Sequence, residues 1–322
     1  MQTAAQPDDL VLVIDGGGTK TICRLARILA GGHWEILGSG TASGSNPRTA
    51  GMDEAVTRIR ESIATAQAEA GLRDTRCQHA LLAIAGTLDA TIRGQLEHRI
   101  TPFEIAKQVR VIPDLLPLVA LADGPAIGII AGTGAVGVGR DAKGRLAIAG
   151  GWGPLRGDDG SGFSLGREAV RVALKRLEAG EPLFGLAAAV CQTLDAHSDA
   201  ELKTVLTASS DPRGRIAQLA PIVLQQAQRG DAEANAMIVR AAADLADLVQ
   251  RLHARLARPD RNLVVAISGG LFRAGALLEN ALTEAIQACG FQIELQRIDD
   301  PTEPLLRMLT QGQVPAQIEV LP

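Results

Sequence analysis

Tyrosine is absent from this 322-residue chain, and aromatic residues of all kinds make up only 2% of it. Single-stranded nucleic acids are usually held on rows of aromatic faces, so a base-stacking platform is not expected. Cysteine is sparse too. Cys23, Cys77, Cys191 and Cys289 lie far apart with no C-x-x-C pair. That argues against a clustered metal or iron–sulfur site and fits reduced, buried thiols. No apolar run approaches the roughly 20 residues that cross a bilayer. Met1–Asp9 is polar and has no apolar core of the kind an export signal carries. Basic and acidic residues nearly balance, 32 against 36, for a net charge of −4. Charge therefore offers no reason to expect nucleic acid or a membrane as partner. A cytoplasmic protein is the expectation, and at 46% hydrophobic residues it can bury ample core.

Several catalytic signatures are missing as well. There is no P-loop, no H-E-x-x-H, no G-x-S-x-G elbow, and the five histidines share no ligand spacing. Gly132-Thr133-Gly134-Ala135-Val136-Gly137 formally matches G-x-G-x-x-G, but that fingerprint needs a helix directly after the turn. Here Val-Gly-Val-Gly-Arg follows, then Asp-Ala-Lys-Gly and another apolar run. The pattern predicts a hairpin, which disfavours dinucleotide binding.

What is present has the order of an α/β protein. Leu10–Ile14 predicts a strand ending on Asp15 and three glycines, and Thr21–Leu29 predicts the strand after the turn. Met52–Ala70 has helical periodicity. Ala80–Ala85 and Val109–Ile112 read as strands, and Pro117–Ala122 as helix. The opening pattern then returns: Ala126–Ile130, a Gly-Thr-Gly turn, and Val136–Gly139. This weak internal similarity suggests two like-folded halves. A boundary near residues 116–125 gives domains 1–118 and 119–322. The second carries a helical insertion over about 167–258, including one long helix over Asp231–Ala257. Asn262–Ser268, Gly275–Cys289 and Phe291–Arg297 read as strand, helix, strand.

Four tracts carry chemistry. In Asp15-Gly16-Gly17-Gly18-Thr19-Lys20, residues without Cβ let backbone N–H groups approach phosphate oxygens and can take positive φ. A strand-end carboxylate can hold Mg²⁺, usually through water. The same tract could equally be a tight hairpin with a surface Asp. Gly150–Gly162 packs glycines around Trp152, Asp158 and Asp159, a wall suited to a polar ligand. Asp114 follows a strand, where α/β sheets present ligand-binding groups, or else caps the next helix. Ser268-Gly269-Gly270 leaves room for a flat ligand, although strand-to-helix glycine turns are common.

In this order the tracts resemble the acetate and sugar kinase–Hsp70–actin superfamily. The closest resemblance is to the branch of N-acetylglucosamine kinases and BadF/BadG/BcrA/BcrD ATPases, over roughly residues 10–275. The resemblance implies two actin-like, ribonuclease H-like domains, each with a mixed sheet, and a nucleotide cleft between them. It implies ATP and Mg²⁺, with Asp15 holding the metal. Gly16, Gly17, Gly18, Thr19 and Lys20 would meet the nucleotide phosphates. So would Gly132, Thr133 and Gly134, while Gly269 and Gly270 would flank adenosine. Asn46, Ala135, Val136, Gly151, Trp152, Gly153 and Asp158 fall where the family binds sugar. Asp114 falls at the general base.

The implied activity is phosphorylation of an amino sugar, at its 6-hydroxyl. The implied partner is a small sugar, and similar proteins are commonly homodimers. Departures are visible. Ala135-Val136 replace the Ser-Asn that helps contact the sugar in amino-sugar kinases. Asp159 replaces a Glu, and Pro301–Leu305 lacks the family's small-residue helix start. An ATPase that activates a partner enzyme, or a sugar sensor without catalysis, are the alternatives. The activator reading suffers from the lack of clustered cysteines.

Overall fold

The computed structural model describes residues 9–122, 124–209, 211–256 and 261–321. The expected helix end at Ala257 and the insertion end at 258 lie outside the described residues. The described residues up to 122, with 300–318, form one compact unit; those from 124 to 299, with 319–321, form the other.

The first unit opens with three strands in a meander: β1 (Leu10–Gly16), β2 (Lys20–Ile28) and β3 (Trp34–Ser43). Helices α1 (Pro47–Ala50) and α2 (Met52–Glu69) follow, then β4 (Cys77–Ile84), α3 (Ala90–Ile100), β5 (Ala106–Pro113) and α4 (Pro117–Ala120). The sheet order is β3-β2-β1-β4-β5. β1 runs antiparallel to β2 and parallel to β4, which is parallel to β5. The central strand is apolar without alternation because both its faces are covered. Leu10, Leu12 and Ile14 join Ile59, Ile63 and Ala66 of α2 in one core. Val11 and Val13 are buried on the opposite face.

The second unit contains β6 (Ala126–Ala131), β7 (Ala135–Arg140) and β8 (Leu146–Gly150). Its helices begin with α5 (Gly162–Ala179), α6 (Gly185–Leu194), α7 (Asp199–Thr207), α8 (Pro212–Ala217), α9 (Ala220–Gln228) and α10 (Ala232–Arg255). It closes with β9 (Asn262–Ser268), α11 (Gly270–Arg273), α12 (Leu277–Ala288) and β10 (Gln292–Arg297), in sheet order β10-β9-β6-β7-β8. Antiparallel β6–β7 with parallel β6–β9 repeats the mixed pairing of the first unit. Asp231 caps α10 by accepting from the Ala234 N–H at 2.9 Å. Met237, Ile238, Ala241, Leu245, Leu248 and Leu252 then form its buried stripe at helical spacing.

α13 (Thr302–Thr310) returns to the first unit, where it packs on β1, β2, β4 and α4 with Leu305, Leu306 and Met308 buried. It starts without a small residue because Asp300 supplies the missing acceptor. Asp300 Oδ1 takes the Thr302 N–H at 2.9 Å and hydroxyl at 2.6 Å, while Oδ2 faces Arg24. Cys23, Cys77 and Cys191 are free and buried, and Cys289 is free and half-buried. Among the described residues no helix is long and apolar enough to cross a membrane.

The tightest packing in the first unit is β3 against α2. A Cβ on Gly40 would lie 1.8 Å from the Ser62 carbonyl oxygen. Gly40→Ala must push α2 off the sheet, at a cost of about 1–3 kcal/mol or more. Gly94 in α3 has open space around it, and Gly94→Ala should instead stabilise by about 0.5–1 kcal/mol. Thermal unfolding of the two variants should move in opposite directions. Equal midpoints would contradict this packing.

Candidate active site

Register brings the sequence motifs of the first unit to one sheet edge. Gly16 pairs with Ile84, and Ile84 with Pro113. The β1–β2 turn, the loop after β4 and Asp114 therefore share the C-terminal edge of the parallel strands, where α/β sheets present ligand-binding groups. β3 ends there too, since Ser43 pairs with Lys20.

The turn closes through the Gly17 N–H donating to the Lys20 carbonyl at 2.9 Å. Gly16, Gly17 and Gly18 lie outside the left-handed region; crowding explains Gly16, where a Cβ would lie 2.3 Å from Ser45 Oγ. The end of β3 presses on the turn from behind. A Cβ on Gly44 would sit 2.2 Å from the Gly18 oxygen, and the Ser45 N–H donates to the Gly17 oxygen at 3.1 Å. On its other side Gly18 is open, and a Cβ there would meet nothing within 4 Å. Thr19 and Lys20 are exposed and Asp15 is half-buried.

Magnesium in nucleotide sites takes one or two carboxylates, with phosphate and water as its other ligands. The Asp15 carboxylate at the end of β1, beside an open glycine turn, suits that donor set. The described residues contain no group of three or more His, Cys, Asp or Glu able to hold a metal ion.

Asn46 caps α1, its Oδ1 accepting from the Arg48 N–H at 2.9 Å, and that oxygen lies 2.2 Å from where a Gly86 Cβ would be. Asn46 is thus fixed over the loop that follows β4. Asp114 is held beside β5. Withdrawal from water pushes its carboxyl up to about 6, and the N–H groups of Asp114 and Leu115 oppose that rise. Such a carboxyl is ionised near neutrality yet basic enough to accept a proton.

The second unit repeats the design. The Gly132 N–H donates to the Gly134 oxygen at 2.9 Å, closing the β6–β7 hairpin. Gly269 has φ +114°, which only glycine adopts freely, and a Cβ there would lie 2.2 Å from the Ala131 oxygen. Gly270 reaches Gly132, its N–H nitrogen 4.0 Å from a Cβ built on that residue. The Gly132-Thr133-Gly134 and Ser268-Gly269-Gly270 turns are therefore adjacent.

The glycine-rich loop follows β8. Trp152 is 71% exposed and Leu155 96% exposed, an apolar display with nothing from its own unit over it. Gly151 and Gly153 have positive φ around that Trp. The loop and α10 line an open polar recess that includes Ala135, Trp152, Arg156, Asp158, Asp244 and Arg251. Burial raises the pKa of Asp244, and the carboxylates of Asp159, Glu168 and Asp247 raise it further.

Asp158 is buried, at 4% exposure, and left-handed at φ +63°. Its Oδ1 accepts from the Ala135 N–H at 3.3 Å and its Oδ2 from Arg213 at 2.6 Å. Ala135 is buried in β7, and its carbonyl accepts from the Gly151 N–H at 3.0 Å. Neither Ala135 nor Val136 has a polar side chain to offer a sugar. Arg213 and Asp244 were not among the expected site residues. Both sit in helices whose charge pattern resembles any solvated face.

The raised pKa of Asp114 has a consequence for stability. Its folded pKa lies above the unfolded value, so the folded state binds the extra proton between about pH 4 and 6 and loses stability as pH rises through that window. Asp114→Asn removes the cost. The variant should be more stable than the parent at pH 7.5, by up to about 3 kcal/mol, and no more stable near pH 3.5. Denaturant unfolding at the two pH values checks this, and a variant destabilised at both would contradict it.

The chain is similar to two curated kinases. It is 26% identical over 265 residues to an N-acetylmuramic acid/N-acetylglucosamine kinase of Clostridium acetobutylicum, covering 81% of this chain and 85% of that one. It is 25% identical over 295 residues to an N-acetyl-D-glucosamine kinase of Dictyostelium discoideum, covering 86% and 90%. Its fold is similar to a crystal structure from Chromobacterium violaceum assigned as an N-acetylglucosamine kinase, with a TM-score of 0.74, 25% identity, and coverage of 94% of this chain and 100% of that one. The BadF/BadG/BcrA/BcrD ATPase family model matches residues 12–298, and the chain belongs to that family.

Proposed function

We propose that this protein is an ATP-dependent kinase that phosphorylates an amino sugar of the N-acetylglucosamine or glucosamine type at its 6-hydroxyl. The observation that carries the reading is Asp114, a half-buried carboxylate of raised pKa on the sheet edge that also presents the open Gly18 turn. The similarity to two curated amino-sugar kinases supports the substrate class.

Phosphoryl transfer asks a protein for positioning and charge stabilisation more than for covalent chemistry. Asp114 accepts the hydroxyl proton as the sugar oxygen bonds to the γ-phosphorus and the bond to the β-phosphate oxygen breaks. Backbone N–H groups of Gly16–Lys20 and Gly132–Gly134 hold the phosphates. Gly269 and Gly270 leave room for adenosine, and Asn46 with the Trp152 loop orients the sugar. Mg²⁺, held at Asp15, neutralises phosphate charge when bound.

Asp114→Asn should leave nucleotide and sugar binding nearly unchanged while turnover falls about 10²- to 10⁴-fold. In the parent, kcat/KM should fall with unit slope below about pH 6 as Asp114 takes up its proton. ADP release measured with glucosamine, N-acetylglucosamine, N-acetylmuramic acid and glucose tests the substrate class. Release that depends on an amino sugar supports the kinase. Release without any sugar would instead fit an ATPase that activates a partner. Near-normal turnover in the Asn variant would overturn the role of Asp114.

A further inference from the structure

Arg213 lies 55 positions from Asp158, on a different element, yet the two form an ion pair at 2.6 Å. α8 is brought to it by close helix packing. A Cβ on Gly166 of α5 would lie 1.9 Å from the Ile216 carbonyl oxygen, so only glycine lets α8 sit this near α5. α8 itself is capped by Asp211, whose Oδ1 accepts from the Gly214 N–H at 2.9 Å. The same α5 grips the β6–β7 hairpin. Its first N–H groups, on Gly162 and Phe163, donate to the carbonyls of Gly132 and Thr133 at 2.8 and 3.2 Å. The hairpin is thus tied to α5 at two carbonyls and to Asp158 at the Ala135 N–H.

Gly134 rests directly on the ion pair. A Cβ there would be 2.8 Å from Asp158 Oδ1 and 2.9 Å from Arg213 Nη2. Among the described residues the buried Nε of Arg213 has no partner, and the guanidinium is held at its Nη2 by Asp158. Asp158 in turn holds an uncommon left-handed backbone, steadied by the Ser161 N–H donating to its carbonyl at 3.1 Å.

We propose that Arg213 is a positioning residue for the nucleotide phosphates. It orients the Asp158 carboxylate, which fixes the Ala135 N–H and sets the height of the Gly132-Thr133-Gly134 turn. The inference rests on the kinase reading only in taking that turn as a phosphate contact. Arg213 does not touch the nucleotide. A turn positioned to within about 0.5 Å holds phosphate well, and a loosened one does not.

The test measures affinity for Mg·AMP-PNP and the unfolding midpoint of the ligand-free protein, for the parent, Arg213→Ala, Arg213→Lys and Asp158→Asn/Arg213→Ala. Arg213→Ala leaves a buried carboxylate unpaired and should lower the midpoint. It should also weaken nucleotide binding about tenfold or more. Arg213→Lys, which restores the charge, should recover affinity to within about threefold of the parent. The double variant removes the stranded charge, so its midpoint should recover while its affinity stays low. Affinity that simply tracks the midpoint across the series overturns the inference, as does Arg213→Ala binding within twofold of the parent. So does a parent protein that binds no Mg·AMP-PNP. A parent that binds it but shows no sugar-dependent turnover ends the kinase reading, and the affinities still decide the role of Arg213.

Discussion

Close approach of backbone to backbone at the C-terminal edges of two sheets is the constraint on which this structure depends. The Gly18 oxygen lies where a Cβ of Gly44 would be, and the Ala131 oxygen lies where a Cβ of Gly269 would be. In each place a strand-end turn is pressed from behind by a second segment that could not come so near with any side chain. Glycines lose more conformational entropy on folding than other residues. In return the turns become rigid, and Gly18 faces open space. Rigid, inward-supported turns suit the binding of a polyanion through N–H groups, because the donors are set before the ligand arrives.

Charge is handled differently in the two units. In the first, half-buried Asp114 is partly desolvated, so its ionised form costs free energy and its basicity rises. In the second, Asp158 is buried but paired with Arg213, so its charge is compensated. A buried pair contributes little net stability, yet it fixes geometry strongly, since neither partner can move without stranding the other. The proposed roles follow from that contrast: a partly desolvated carboxylate held by backbone N–H groups acts as base, and one paired with an arginine acts as a strut.

Much of the architecture was legible in the sequence. β1, β6 and β9 are apolar runs closed by glycine turns, a pattern that buried strands produce. α10 shows its buried stripe at helical spacing. β3 was not legible, because Trp34–Ser43 mixes exposed positions with Gly38 and Gly40, whose purpose is contact with α2. α13 was hidden behind Pro301, since its start depends on the Asp300 side chain and its packing on strands more than 200 residues away in sequence. The motif glycines were found, and of the two properties expected of Gly16–Gly18, close N–H approach to phosphate and positive φ, the second is shown by none of the three. Arg213 could not be read at all. Its partner is distant in sequence, and a lone arginine near a helix start has no pattern.

Amide hydrogen exchange with and without Mg·AMP-PNP tests the central claim most directly. If rigid glycine turns grip the triphosphate, added protection should concentrate in residues 16–20 and 132–135, with a smaller effect at 268–270. Protection confined to one of the two turns, or absent from both while the nucleotide is bound, would contradict the account.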